Sequence, residues 1–339
     1  MNVVVTGSQG FIGGYLVQEL LDAGYTVTGI DDFSKYGKII KAHDRHPNFT
    51  LVERDLKSNL FDDILTDADY LIAGAAKIGG ISYFHRLPYD LLASNERIIA
   101  NTCDSAIRVR SKGRLRKVVY ISSSMVFENS VTFPSREGDE LKSVPPISSY
   151  GFQKLAVEYF ARAAWDQYQL PFTIVRPFNC IGIGEARAKV DAYVKSGNIE
   201  LAMSHVVPDL IQKIAKGQTP LRILGTGSQI RHYTYGGDLA RGIRLALESE
   251  LALNTDFNIS TNASHSVKEL ANVIFNKMKG NSEVLAIELD EAFPHDVQKR
   301  IPSTEKAERL LGFKAETSLD KALDEIIPWV INAVDVGLI

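Results

Sequence analysis

The sequence predicts an α/β protein, a doubly wound parallel sheet with a smaller mixed α/β lobe. Three observations carry this reading. Through the first 178 residues, short β-branched runs alternate with stretches of helical period. The first run passes directly into a glycine-spaced turn and then a helix. After Asn179 the alternation loosens, with polar and charged stretches between the helices. A chain of 339 residues, 45% of them hydrophobic, is long enough for two such units.

Charge and cysteine usage narrow the function classes. A net charge of −3, with no dense Lys/Arg run, argues against a nucleic-acid surface; the basic stretch 108–117 reads as a solvated helix end and loop. Cys103 and Cys180 form neither a disulfide framework nor a metal-ligand spacing, so a reducing compartment and no metal are expected. Met1-Asn2-Val3-Val4-Val5 lacks the basic start of a signal peptide, and no stretch approaches a membrane span. A cytoplasmic protein with no membrane partner is the expectation.

Taken in order, Val3-Val4-Val5 is the first strand and Thr6 to Gly13 the turn. Leu16, Val17, Leu20 and Leu21 then recur with helical period until Gly24. Strand, glycine turn and helix form the context that a dinucleotide fingerprint requires. Gly7 permits the tight turn, Gly10 lets a pyrophosphate come near, and Gly13 lets the helix pack on the strand. Gln9, Phe11 and Ile12 complete this cofactor loop at the helix N-terminus, where phosphate charge is favoured. Val27 to Ile30 is the second strand and ends in Asp31-Asp32. A carboxylate there accepts hydrogen bonds from ribose hydroxyls and repels a 2′-phosphate, which favours NAD over NADP.

Phe49 to Val52 is the third strand, with Asp55-Leu56 after it placed for the adenine edge. Tyr70 to Ala73 is the fourth and runs into the small-residue loop 74–81, which brings Ala75 close to the cofactor. Pro88 to Arg110 reads as a long helix. Val118 to Ile121, the fifth strand, delivers Ser122-Ser123-Ser124 at its C-terminal end, the edge where open α/β sheets bind ligands. Phe172 to Arg176 is the sixth.

Between the fifth and sixth strands stand Tyr150 and Lys154, four residues apart at the start of a helical stretch. That spacing puts phenol and ammonium on one helical face. A neighbouring cation favours an ionised phenol, so Lys154 is expected to depress the pKa of Tyr150 from its ordinary value of about 10. Tyr150 then acts as a base near neutral pH.

In the second half, 184–198 reads as an irregular loop and 201–208 leads into a helix to Lys216. Leu221 to Leu224 and His232 to Tyr235 read as strands flanking Gly225-Thr226-Gly227. Asp238 to Glu248 is a helix and Phe257 to Ile259 a late strand. Val267 to Lys279, Thr304 to Leu311 and Leu319 to Val330 are helices.

These motifs together resemble the extended short-chain dehydrogenase/reductase family, and within it the NAD-dependent nucleotide-sugar epimerases and dehydratases. The matching residues are Thr6 to Gly13, Asp31-Asp32, Asp55, Ser122 to Val126, Tyr150 and Lys154, and Arg176 to Asn179. They continue with Pro208, 224–228, Arg231, Tyr235, Asp238, Lys306-Ala307 and 310–313. The resemblance covers essentially the whole chain. It implies a Rossmann-type domain of residues 1–178 plus about 236–261, and a nucleotide-sugar-binding domain of 179–235 plus about 262–339. It implies Ser123 as the active-site hydroxyl, Tyr150 as the base, and Lys154 as the group that also holds the nicotinamide ribose. Asn179 and Arg231 resemble ligands of the sugar diphosphate, with Arg231 forking onto phosphate oxygens. Lys77, Ser124, Met125, His205 and Val206 are implied contacts of the substrate. A homodimer is implied as well, through the helices corresponding to Pro88–Arg110 and Tyr150–Tyr168.

Departures from the pattern sort the members. The runs 75–81 and 204–208 are similar to GDP-fucose synthase, an epimerase-reductase whose matching histidine is an acid. That enzyme carries a cysteine where Met125 stands, and a thioether neither gives nor takes a proton. The 4,6-dehydratases carry Asp-Glu where Ser124-Met125 stand. The 4-epimerases need only Ser, Tyr, Lys and NAD. Relatives often place a diphosphate-binding arginine just before the segment 293–296, where Ala292 and Phe293 stand here; Arg300 is the candidate replacement. The reading is therefore an NAD-dependent 4-epimerase of a nucleotide-diphosphate sugar. Ketoreductase or epimerase-reductase chemistry through His205, and dehydratase or decarboxylase chemistry, are the alternatives.

Overall fold

A computed structural model describes residues 1–78, 87–185, 195–196, 199–200, 205–292 and 297–337. The expectations that fall on Gly79-Gly80-Ile81, Ser204 and 293–296 lie outside the described residues, as does most of the expected loop 184–198.

The first half builds one sheet. Its elements are β1 (Asn2–Thr6), α1 (Phe11–Asp22), β2 (Thr26–Asp31), β3 (Phe49–Glu53), α2 (Asp62–Leu65), β4 (Tyr70–Ala73), α3 (Pro88–Arg110), β5 (Lys117–Ile121), α4 (Ser149–Tyr168) and β6 (Phe172–Pro177). The second half adds β7 (Lys195–Ser196), β8 (Ile199–Glu200), α5 (Val206–Ala215), β9 (Leu221–Leu224), β10 (Ile230–Arg231), α6 (Gly236–Glu248) and β11 (Thr255–Ile259). It ends with β12 (His265–Ser266), α7 (Val267–Lys279), β13 (Ile287–Asp290), α8 (Glu305–Leu311) and α9 (Leu319–Asp335).

Seven strands form a parallel sheet in the order β11-β6-β5-β4-β1-β2-β3. The order reverses at β1, and the crevice there is where such sheets take ligands. Strand alternation distributes the core. Val3 and Val5 face α1 and α6, with Leu16, Val17, Ile243 and Phe257, while Val4 faces the other way with Leu71, Tyr120 and Ala161. Both faces are covered, so β5 and β6 are buried throughout, as parallel strands are. A separate core joins α5, α7 and α9 to β9, through Leu210, Ile214, Ile223, Leu270 and Ile326.

Two expectations of the second half are corrected. The strand placed at His232 to Tyr235 is not one: the ladder is β10, two residues earlier, paired with β12. Residues 232–235 instead run beside Asn179–Ile181. Thr234 N–H donates to the Asn179 carbonyl at 3.2 Å, and Ile181 N–H to the Thr234 carbonyl at 2.8 Å. The segment is extended, but its partner is the stretch just after β6. The stretch 184–198 expected as irregular loop contains β7, which pairs antiparallel with β8 just beyond it.

Candidate active site

One cleft of about 730 Å³ runs along the carboxyl edge of the sheet, and every residue assigned above to catalysis, cofactor or substrate lines it. Those residues come from both halves of the chain. Local motifs and the family resemblance named each of them, but only the packing of β1, β4, β5, α4 and α5 brings them to one wall.

The glycine turn is bare backbone. Gly7 has φ +74°, and a Cβ on Gly13 would stand 2.1 Å from the Gly7 carbonyl oxygen. The N-cap residue Gly10 makes no side-chain cap, and the first turn of α1 carries no acidic residue. The free N–H groups and helix dipole are therefore presented to the cleft, a surface that fits a pyrophosphate. Asp31 holds the turn from behind, accepting from Gln9 N–H at 3.0 Å and Phe33 N–H at 2.8 Å. Asp32 accepts from Ser34, and Asp55 from Lys57 N–H at 2.8 Å. Thr6 Oγ1 accepts from Gly74 and Ala75 N–H, fixing the small-residue loop. Buried Asn95 bonds both the N–H and the carbonyl of Lys77.

Sequence reasoning missed a supporting layer under this turn. The Lys41 ammonium donates to the Gly10 carbonyl at 2.7 Å, and burial pulls its pKa down to about 8. Beside it His43 is buried, and burial first, then the Lys41 charge, push its imidazole down to about 4. An unfolded histidine titrates near 6.5. Between these values the unfolded chain binds the extra proton, so stability rises with pH through about 4 to 6.5 and is lost on acidification. His43→Gln is expected to flatten that part of the curve by several degrees, checked by thermal melts at the two ends of the window.

The reacting corner is built by β5 and α4. Ser148 caps α4, its Oγ accepting from Gly151 N–H at 3.0 Å. Tyr150 is half-buried and hydrogen-bonded to the Ser123 side chain. Here one expectation is corrected. Burial raises the Tyr150 phenol, and what opposes the rise is the Ser123 bond and then the charge of Arg300. Lys154 contributes no such effect. Its ammonium donates to the Ile121 carbonyl at 2.9 Å, and burial brings it down to about 8. The helical spacing was right, but the strand end beneath offers the ammonium a carbonyl.

The substrate side carries two arginines. Arg231 lines the cleft on β10, and Arg300 lines it from the adjoining segment, whose N–H donates to the Ile230 carbonyl at 3.2 Å. Asn179, at φ +38°, presents a buried side-chain amide nitrogen with no hydrogen-bond partner among the described residues. His205, just ahead of α5, meets the buried carboxylate of Glu185 at 2.6 Å and stands 6.3 Å from the Phe11 ring. Glu185 had no motif to flag it. Val206 opens α5 on the same wall. Among the described residues no group of His, Cys, Asp and Glu is arranged to hold a metal ion. No described helix is long and apolar enough to cross a membrane.

A parallel sheet that presents an uncapped glycine turn beside a Ser-Tyr-Lys corner defines an enzyme that works with a bound nicotinamide dinucleotide. Residues 3–260 match the NAD dependent epimerase/dehydratase family, and the chain belongs to it. Its cofactor is NAD. Over 97% of this chain and 95% of the relative, it is 28% identical to UDP-glucose 4-epimerase of Pisum sativum. It is 26% identical to UDP-N-acetyl-alpha-D-glucosaminuronate decarboxylase of Bacillus cytotoxicus, covering 96% of each. In fold it is similar to UDP-glucuronic acid 4-epimerase from Bacillus cereus, solved with UDP-glucuronic acid and NAD. The TM-score is 0.82 at 23% identity, over 98% and 99% of the two chains.

Proposed function

We propose that this chain is an NAD-dependent 4-epimerase of a nucleotide-diphosphate sugar, with UDP-sugars the first candidates. The observation that carries the reading is the Tyr150–Ser123 hydrogen bond on the cleft wall, next to Ser124-Met125, which supply no acid–base pair for elimination. The dinucleotide would lie on the glycine turn, with Asp31 and Asp32 at the ribose, Asp55 and Leu56 at the adenine, and Lys154 at the nicotinamide end. Bound there, NAD supplies an acceptor for the carbon-bound hydrogen of the sugar alcohol, and returns it.

The chain's own residues handle protons and orientation. Tyr150 takes the proton of the sugar hydroxyl, and Ser123 donates to the oxygen that bears the developing charge. Arg231, Arg300 and Asn179 hold the diphosphate, so that the oxidised sugar turns over without leaving. Returning the proton from Tyr150 completes the inversion. Pairing of two copies along α3 and α4 belongs to this reading; the two helices expose Tyr89, Phe152 and Tyr159. So does a cytoplasmic location.

The His205–Glu185 pair favours a second reading, a ketoreductase or epimerase-reductase with the imidazole as proton donor. Incubation with UDP-sugars and NAD, and in parallel with a UDP-4-keto sugar and NADH, separates the two. The first reading expects the C4 epimer by NMR, with no lasting change at the NADH absorbance band. Stoichiometric consumption of NADH, or loss of carbon dioxide from a uronic-acid substrate, overturns it.

A further inference from the structure

The contact between Ser123 and Tyr150 joins two separate elements, so its geometry is set by how α4 sits on the end of β5. Two carboxylates outside the cleft make that joint. Glu158, two turns beyond Tyr150, accepts from the Ser122 hydroxyl at 2.7 Å. It is itself immobilised: Arg176 Nε and Nη2 each reach a Glu158 oxygen at 2.7 Å, and both side chains are fully buried. Arg176 Nη2 also meets Glu140 at 2.8 Å and Asp256 at 2.7 Å, so β6, β11 and the loop before α4 share the anchor. At the other end, Glu128 follows the helical turn Ser124–Phe127. It accepts from Ser148 N–H at 3.1 Å and from the Ser148 hydroxyl. The same hydroxyl caps α4 two residues before Tyr150.

We propose that Glu128 and Glu158 are positioning residues for the reaction: acting through Ser148 and Ser122, they clamp α4 to the Ser122–Phe127 segment and thereby hold the Tyr150 oxygen on the Ser123 hydroxyl. Glu128 fixes the helix end that carries Tyr150, and Glu158 fixes the register between Ser122 and the second turn. The Lys154–Ile121 bond lies between them. A tight core alone does not set this contact, because an ångström of slip at either end breaks a hydrogen bond while leaving the packing intact. The inference rests on the reading of Tyr150 as the base.

The link is best cut at the half-exposed Glu128 and at the buried Ser122 hydroxyl. Replacing Glu158 strands the Arg176 charge in the core, at a cost that threatens folding. Ser122→Ala removes only the hydroxyl, and Glu128 is half-exposed, so Glu128→Ala leaves the core untouched. Each variant is loaded with NAD and paired with its own Tyr150→Phe double variant. The difference absorbance then reports the ionisation of Tyr150 without any turnover. The groups that act on this phenol are Ser123 and Arg300, and neither is altered.

Both variants are expected to raise the Tyr150 midpoint by about one unit, a tenfold loss of phenolate. The value of kcat is expected to fall by a similar factor with KM little changed, and Glu128→Gln, which keeps an acceptor for Ser148 N–H, to recover part of the loss. A merely structural role moves the melting temperature and leaves both the midpoint and kcat per NAD-loaded site where they were; that result overturns the proposal. If wild-type protein turns over no nucleotide sugar, the functional reading fails, and the titration still decides whether the clamp sets the phenol.

Discussion

Tyr150→Phe is expected to lower kcat by about 10²–10⁴-fold, the range general-base assistance supplies, while NAD and substrate still bind. The replacement keeps the ring and removes the oxygen that Ser123 bonds, so the surrounding wall is unchanged. The loss belongs in kcat and kcat/KM together, because the interaction with a leaving proton exists only in the transition state. Because burial raises this phenol, the wild-type rate should also climb with pH across the neutral range. That limb should vanish in the variant. Steady-state kinetics of both proteins over that range, with NAD content checked after denaturation, is the measurement. Turnover near wild type in the variant removes Tyr150 from the chemistry.

Gly13→Ala is expected to be as damaging by a different route. The added Cβ would stand 2.1 Å from the Gly7 carbonyl oxygen and 3.0 Å from the Ser8 carbonyl carbon, and both are backbone. Neither can swing aside, so the first turn of α1 must lift from β1. Overpacking of this kind costs about 1–3 kcal/mol. The larger effect is on function, since an ångström of displacement in a positioning element lowers rates by about 10²-fold. Here the displaced groups are the uncapped N–H donors of the turn. Gly14→Ala is the milder comparison: its nearest neighbours are atoms of the Lys41 side chain, Nζ at 2.7 Å, which can rotate away at the cost of its bond to the Gly10 carbonyl. Calorimetric titration with NAD should show the affinity collapsing for Gly13→Ala and largely kept for Gly14→Ala. Equal affinities would mean that the turn has slack the geometry does not suggest.

Much of this was legible before any coordinates. Val3-Val4-Val5, the Gly7–Gly13 turn and Asp31 each sit in a local pattern whose cause is local. A strand alternates faces every residue, a glycine is needed where a carbonyl stands two ångströms away, and a helix repeats every three or four positions. Such constraints write themselves into neighbouring positions, so the seven strands of the main sheet and the glycine turn could be named from spacing, while the substrate side of the cleft was named through the family resemblance. The misplaced strand at His232 to Tyr235 shows the limit. Its pattern correctly reported extended backbone, but the partner that satisfies its hydrogen bonds lies more than fifty residues away at Asn179–Ile181.

The sequence by itself thus determined the sheet, the bare turn, the carboxylates at the ends of β2 and β3, and the Ser123, Tyr150 and Lys154 set. Only the tertiary structure decided what each of these groups touches: Lys154 on the Ile121 carbonyl, Arg300 in the field of the phenol, Glu185 on His205, and Glu128 and Glu158 on the serines that seat α4. The physical reason is that periodicity records which way a side chain points. A hydrogen bond or an ion pair depends on a distance between elements, and the stacking of the layers sets that distance.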